Sequence, residues 1–366
     1  MTSLVAGSRA THDPATHDRA ADDRATDDRA APAEPWAAGL AGHRRELTGY
    51  CYRMLGSVFD AEDAVQETLL RAWRHGDSFD GRSSPRTWLY RIAHNVCVDL
   101  LRGNRRRALP MDVGDPSAPV AAAMGEPVPG RWVSPAPDGS VLADAADPAE
   151  AAVARESVRL AFLTALQLLP PRQRAVLILR DVLRWTAEEV ADLLGTSVPA
   201  VTSALQRARA TTRHAGPGAA TTPAADLDPA HHDLLDRYVR SFERYDIDAL
   251  VTLLREDAVH TMPPYRMWLR GRADIAAWMR GPGAGCAGSR LVPVTANGAP
   301  AFAQYRPDPA GGWRPFSVQV LALAGGTVAG IHYFLDPRLP GRFGLPARLS
   351  RAAPGPLSRA GRPGRR

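Results

Sequence analysis

Apolar residues recur at helical spacing over two long stretches and then give way to alternating runs. From Trp36 to about Arg107 the period is helical, broken at Gly56-Ser57 and by the loop from Gly76 to Pro85. It resumes from Pro148 to about Arg213. The Pro, Gly, Ala and Asp that fill the interval mark a linker, and Gly216–Asp226 marks a second. Beyond residue 230 two amphipathic helical stretches, LLDRYVRSFERYDIDALVTLL and GRADIAAWMR, precede the strand-like runs RLVPVTANG, PAFAQYR, PFSVQVLALAGG and TVAGIHYFLD. Gly325-Gly326 reads as a hairpin turn between the last two. The predicted fold class is multi-domain: two all-α units, then an α+β unit with an antiparallel sheet and a concave face.

The expected boundaries follow from these breaks. Residues 1–35 form a disordered tail of THD and DDRA units, with too little apolar surface to offset the entropy of ordering. Helical units occupy 36–108 and 148–214, with linkers at 109–147 and 215–229. The α+β unit spans 230–340, and 341–366 is a basic disordered tail.

Charge refines the picture only modestly. The formal net charge is +6 and every one of the 45 basic residues is arginine. Eight of these arginines follow Asp336 with no acid among them, so the tail outweighs the net charge of the whole chain. A polyanionic partner is favoured but not required. Cys51, Cys97 and Cys286 lack the spacing of a zinc site or a disulfide framework, and the first two fall inside apolar helical patterns as core thiols. No apolar run approaches a membrane span, so a cytoplasmic protein without a membrane partner, a metal or a cofactor is expected.

Candidate chemistry concentrates in two segments. In Ser83–Arg107 the apolar residues Trp88, Leu89, Ile92, Val96, Val98 and Leu100 share one face, and Arg86, Arg91, His94, Asn95, Arg102, Arg105, Arg106 and Arg107 lie on the other. Aromatics interleaved with arginine and amide groups suit phosphates and unstacked bases. In the second segment Thr186 and Glu189 form a capping box for AEEVADLL. Gly195 supplies the turn that follows, and Ser197 caps a second helix with Pro199 in its first turn. Helix, glycine turn and helix make a helix-turn-helix, whose second helix would span roughly 18 Å of major groove.

With these motifs in order, the chain resembles the sigma-70 family of the extracytoplasmic-function type. DAEDAVQETLLRAW (Asp60–Trp73) resembles region 2.2, Trp88–Arg107 regions 2.3 and 2.4, and Leu166–Arg213 region 4. The resemblance implies a partner, core RNA polymerase (β′ clamp helices and β flap), and a second, promoter DNA. Asp60, Glu62, Asp63, Gln66 and Glu67 would meet the clamp; their acidic face suits a basic protein partner and repels DNA. Asn95, Asp99, Arg102, Arg105 and Arg106 would lie along the −10 element, with Ser83 and Ser84 cradling an extruded base. Asp99 and Arg102, three apart, could equally pair with each other. Thr196, Ser197, Pro199, Ala200, Thr202, Ser203, Gln206, Arg207 and Arg209 would face the −35 element. Thr202, Ser203 and Ala204 stand where many members carry basic residues, so promoter sequence does not transfer from other subgroups.

The family's ordinary members end shortly after region 4, whereas here about 150 residues follow. LLDRYVRSFERYDIDALVTLL, LREDAVHTMPP and LRGRADIAAWM resemble the SnoaL-like, NTF2-like cone. Its pocket would be lined by His260, Met262, Trp268, Trp278, Tyr305 and His332, holding a small ligand or making an intramolecular contact. No Asp–His or Asp–Arg spacing marks a catalytic pair, so no enzyme is expected. Trp132, in an otherwise featureless linker, suggests that RWVSPAPD docks on this domain or lies near the polymerase channel. The expected function is promoter recognition and initiation, with the C-terminal domain regulating in cis. The alternative is a stand-alone helix-turn-helix regulator with a ligand domain.

Overall fold

The computed structural model describes residues 41–76, 79, 81, 83–103, 106–142, 147–214 and 221–350. The tail at 1–35 and the end beyond 350 lie outside the described residues. Three helices form the first unit: α1 (Arg44–Leu55), α2 (Val58–Arg74) and α3 (Pro85–Arg102). Gly56, at φ +70°, ends α1, and Ser57 caps α2 by accepting from Asp60 N at 3.2 Å. The left-handed φ is why a glycine sits in that tight corner. Ser84 caps α3 in the same way through Thr87 N, with Pro85 in the first turn. The buried face of α3 is Leu89, Tyr90, Ala93, Val96 and Cys97; Leu100, expected in the core, is exposed.

The second unit holds α4 (Pro148–Glu156), α5 (Leu160–Gln167), α6 (Pro171–Leu177), α7 (Ala187–Leu193) and α8 (Val198–His214). The capping box at Thr186 and Glu189 is formed and Gly195 turns at φ +58°. Val201, Ala204, Leu205 and Ala208 of α8 are buried, so the opposite face points outward.

The C-terminal unit comprises α9 (Pro229–Arg244), α10 (Ile247–Thr252), β1 (Leu254–Thr261), β2 (Trp268–Arg270), α11 (Arg272–Arg280), β3 (Arg290–Ala296), β4 (Ala299–Pro307), β5 (Trp313–Ala324) and β6 (Thr327–Phe334). Where the sequence pattern reads as one helix, Tyr245 adopts φ +57° and Asp246 recaps the chain, so α9 and α10 are separate. The six strands run in the order β2-β1-β6-β5-β4-β3. The sheet is mixed rather than antiparallel, because β1 lies parallel to β6. Gly325 and Gly326, both at positive φ, make the expected β5–β6 hairpin turn.

The sheet is covered on both faces. Tyr238 and Phe242 of α9 pack on one, with Phe302, Leu321, Ile331 and Tyr333. The other carries Ala301, Ala303, Val318 and Val320 and joins the same core as the two helical units. Two expected boundaries change accordingly. Residues 109–142 hold only short helical turns (Pro110–Asp112, Ala121–Met124 and Asp138–Val141), yet they are bound to the sheet domain rather than free. Ser117 N donates to Trp268 O at 2.8 Å, Trp268 Nε1 to Gly114 O at 2.9 Å, and Trp132 Nε1 to Pro264 O at 2.7 Å. The basic tail begins later than expected: α12 (Leu339–Arg342) and the segment to Ser350 are packed, Leu349 pairing with Trp313.

Candidate polymerase and promoter interface

On α2, Asp63, Gln66, Leu70 (37% exposed) and Trp73 (68% exposed) form an exposed stripe, with Arg74 exposed at its end. Spacings of three and four put them on one helical face. Leu70 and Trp73 extend the acidic patch with apolar surface, and sequence reasoning missed them. The available signal was two large apolar side chains on the outward side of an otherwise polar face. The remaining acids of the patch are engaged within the chain. Asp60 forms an ion pair with Arg107, Glu67 holds Arg71 at 2.6 Å, and Glu62 forms an ion pair with Arg342 of α12. Beside Glu62, the Phe59 ring lies under two guanidiniums, Arg338 at 4.4 Å and Arg342 at 4.9 Å.

On α3, Asn95, Asp99 and Arg102 are exposed, as is Arg106 just beyond it; Asp99 and Arg102 pair at 3.0 Å. Arg105 lies outside the described residues. Ser84 is the helix cap, with Ser83 half-buried before it. Several members of the expected basic face turn inward instead. Arg86 bonds Glu46 at 2.8 Å and stacks over Tyr90 and Trp185, while Arg107 is buried. His94 shares a hydrogen bond with Tyr50. Arg91 reaches Asp192 of α7 at 3.0 Å.

On α8, Ser197, Pro199, Ala200, Thr202, Ser203, Gln206 and Arg207 are exposed along the outward face, and Thr196 is half-buried at its start. Arg209 also faces out, but both its Nε (2.9 Å) and Nη2 (2.6 Å) are held by Asp181. This bidentate pair fixes α8 against the turn following α6 and occupies the guanidinium.

The two helical units and the sheet domain meet along a seam. Tyr90 and Trp185 are in ring contact at 4.9 Å across it. Arg53, buried, donates to Ser157 Oγ, Gly49 O, Val141 O and Ala154 O. Arg174, also buried, donates to Met54 O, Gln167 Oε1 and O, and Leu169 O. Burial lowers both guanidiniums to about 10. At the tip of the β3–β4 hairpin, Asn297 (φ +58°) is fully buried between three segments. Its Nδ2 donates to Tyr52 Oη of α1 at 2.7 Å and to Val158 O at 2.6 Å, and its Oδ1 accepts from Ala136 N of the linker at 3.0 Å.

The pocket expected in the cone is not assembled. In the β1–β6 register His260 lies opposite Ile331, and Thr261 opposite His332, so the two histidines point to opposite faces. His260 stacks on Tyr333 within the domain core, where Met262 also lies. His332 bonds Thr261 Oγ1 at 3.1 Å on the face toward the helical units. Tyr305 donates to Pro346 O, Trp268 is bound to the linker, and Trp278 packs against Gly283.

Burial lowers His94 and His332 to about 4 and His260 to about 3, aided by Arg172 near His94 and His332 near His260. Each group is therefore neutral when folded and charges more readily when unfolded. The folded state loses stability as pH falls through the unfolded value near 6.5, by roughly 1 kcal/mol per histidine between pH 7.5 and 5.5. The melting temperature is expected to fall steadily over that window; a flat profile would contradict the burial of these imidazoles.

An acidic helix stripe, a basic–amide helix and an outward helix-turn-helix, joined in that order, define a promoter-specificity subunit carrying an NTF2-like appendage. Comparison with known proteins agrees. "Sigma-70 region 2" matches residues 40–107, "Sigma-70, region 4" residues 159–211, and "SnoaL-like domain" residues 235–329. The ECF RNA polymerase sigma factor SigG of Mycobacterium tuberculosis is 49% identical over 310 residues, covering 84% of this chain and 83% of that protein. SigJ of the same organism is 34% identical over 218 residues, 60% of this chain and 62% of that one. The crystal structure of Mycobacterium tuberculosis SigJ shares the fold, with a TM-score of 0.53 at 24% identity, over 85% of this chain and 99% of the other. The chain belongs to the extracytoplasmic-function RNA polymerase sigma factors. This is not an enzyme family, and the stand-alone regulator is set aside. Among the described residues no helix is long and apolar enough to cross a membrane.

Proposed function

We propose that the chain is a cytoplasmic, non-catalytic sigma factor held closed by its own C-terminal domain. In the open form the α2 stripe of Asp63, Gln66, Leu70 and Trp73 meets the β′ clamp, joined by Asp60, Glu62 and Glu67. Asn95, Asp99, Arg102, Arg105 and Arg106, with Ser83 and Ser84, engage the −10 element. The outward face of α8, from Thr196 and Ser197 through Pro199, Ala200, Thr202, Ser203 and Gln206 to Arg207, reads the −35 element, the second helical unit meeting the β flap. Arg209 braces that helix through Asp181.

The observation that carries the closed reading is the placement of Arg338 and Arg342 on Phe59 and Glu62. Two arginines of the chain's own C-terminal segment thus occupy the edge of a surface suited to a basic partner. The seam ties α3 to α7 as well, through Arg91 and Asp192, which keeps the two DNA-reading units together. The separation of His260 and His332 onto opposite faces supports a regulatory role for the sheet domain over a catalytic one.

The deciding experiment is transcription in vitro with mycobacterial core polymerase, comparing the full chain with a truncation ending near Gly216 and mapping start sites on genomic DNA. Promoter-specific initiation by both, stronger for the truncation, is expected. Equal or weaker initiation by the truncation would overturn the closed reading. DNA binding without any initiation would overturn the proposed contacts.

Trp73 offers a direct check on the clamp surface. Large exposed aromatics at an interface centre dominate binding, typically by 2 kcal/mol or more. Trp73→Ala is expected to weaken binding of the truncated protein to core polymerase at least tenfold without moving its melting temperature. Unchanged affinity in a fluorescence-anisotropy titration would remove Trp73 from the interface.

A further inference from the structure

On the sheet face opposite α9 the three parts of the chain leave a half-open cleft of about 490 Å³. Its floor is the sheet: Val259, Val320, Ala322 and Gly330, with His332 beside them. Its walls are Leu109 and Met111 from the linker and Leu160 from α5. Arg159, Arg255 and Glu156 stand among the lining groups. The volume falls within the range of small-molecule sites, which are mostly apolar with a few convergent polar groups.

The floor is open because Gly330 carries no side chain. A Cβ there would come within 3.3 Å of Ala322 Cβ and 3.5 Å of His332 Nε2. His332 is only 8% exposed, and with Nδ1 on Thr261 its Nε2 edge is the one nearest this floor. Of the charged groups, Arg255 is held by Asp257, and Arg159 donates to Thr221 O at 3.1 Å and lies 3.5 Å from Glu156. Asp257 stands outside the lining, so within it two guanidiniums meet one carboxylate, Glu156, beside an apolar floor.

We infer that this cavity binds a small amphipathic organic acid, its carboxylate at Arg159 and Arg255 and its apolar body on the sheet between Ala322 and Gly330. The position is not the interior of the cone, which lies across the sheet. Because the walls come from the linker, α4, α5, the segment at Thr221 and the sheet, the site is complete only when these parts are docked. Such a ligand favours the docked form by mass action, about a hundredfold at a hundred times its dissociation constant. On the reading proposed above, it acts as a co-inhibitor of initiation.

The test uses the full-length protein and 2-naphthoate as probe, with 2-naphthamide as its uncharged counterpart. Titration by fluorescence and calorimetry is expected to give one saturable site per chain. Binding should be at least tenfold weaker for the amide and for Arg255→Gln, and lost in Ala322→Phe, which fills the floor. Should Ala322→Phe fail to fold, Ala322→Leu and the surface change Arg255→Gln still decide the matter. No saturable binding, or equal binding by all these variants, overturns the site; equal binding of the amide overturns the acid. Since neither polymerase nor promoter is present, this result stands or falls separately from the sigma-factor reading, which the transcription assay addresses.

Discussion

Asn297→Ala is expected to open the molecule along its seam. The side chain satisfies the Tyr52 hydroxyl, the Val158 carbonyl and the Ala136 amide, all at a fully buried position. Removing it strands these groups at a cost of about 1–3 kcal/mol each, and alanine at φ +58° adds about 1 kcal/mol more. Part of this is recovered, since Tyr52 keeps its bond to Ser134 O at 2.7 Å. A net loss of about 4 kcal/mol shifts the docked equilibrium by nearly a thousandfold. The variant should have a larger radius of gyration in X-ray scattering, a lower melting temperature and stronger promoter-dependent initiation. Asn297→Gly removes the same bonds while tolerating the positive φ, so it should open the seam without the backbone penalty. An unchanged radius of gyration in both variants would show that the turn does not hold the parts together.

The double reversal Arg338→Glu, Arg342→Glu is expected to raise the affinity of the full chain for core polymerase about tenfold to a hundredfold. Each contact on its own is modest. The Glu62–Arg342 pair is half-exposed and worth about 0–1 kcal/mol, and each cation–π contact with Phe59 about 0.5–1 kcal/mol. Reversal removes all three and places like charges opposite Glu62 and Asp336. The gain should shrink as salt is raised, because exposed charges are screened within about 10 Å at 0.1 M. A truncation that lacks α12 should already show the higher affinity. Core binding by the reversed chain equal to that of the unaltered protein would mean that α12 does not compete for this surface.

Local features were legible in the sequence because their causes are local. The capping box at Thr186 and Glu189, the Gly195 turn and the Gly325-Gly326 hairpin each depend on residues within a few positions of one another. The outward face of α8 followed from helical period alone. The features that were not legible depend on distant partners. Trp132 announced a docking site without naming it, and the acceptor, Pro264 O, lies 132 residues away. Parallel pairing of β1 with β6 decides which face His332 occupies, and strand alternation gives two faces without saying which is inside. The basic pattern on α3 marked arginines but could not distinguish the exposed Arg102 and Arg106 from Arg86, Arg91 and Arg107, which are held against other parts of the chain. Asn297-Gly298 closes the strand-like run RLVPVTANG, and nothing nearby signals that it reaches α1.

That turn also governs the shape of the response. One side chain bonds all three parts of the protein, so drawing the turn away gives up its bonds to α1, to Val158 and to the linker together. Packed junctions of this kind hold two discrete arrangements rather than a continuum. On the closed reading proposed above, output would be set by the fraction of molecules released, not by the degree to which each is loosened. A population of such molecules would then grade its activity by counting those whose turn has let go.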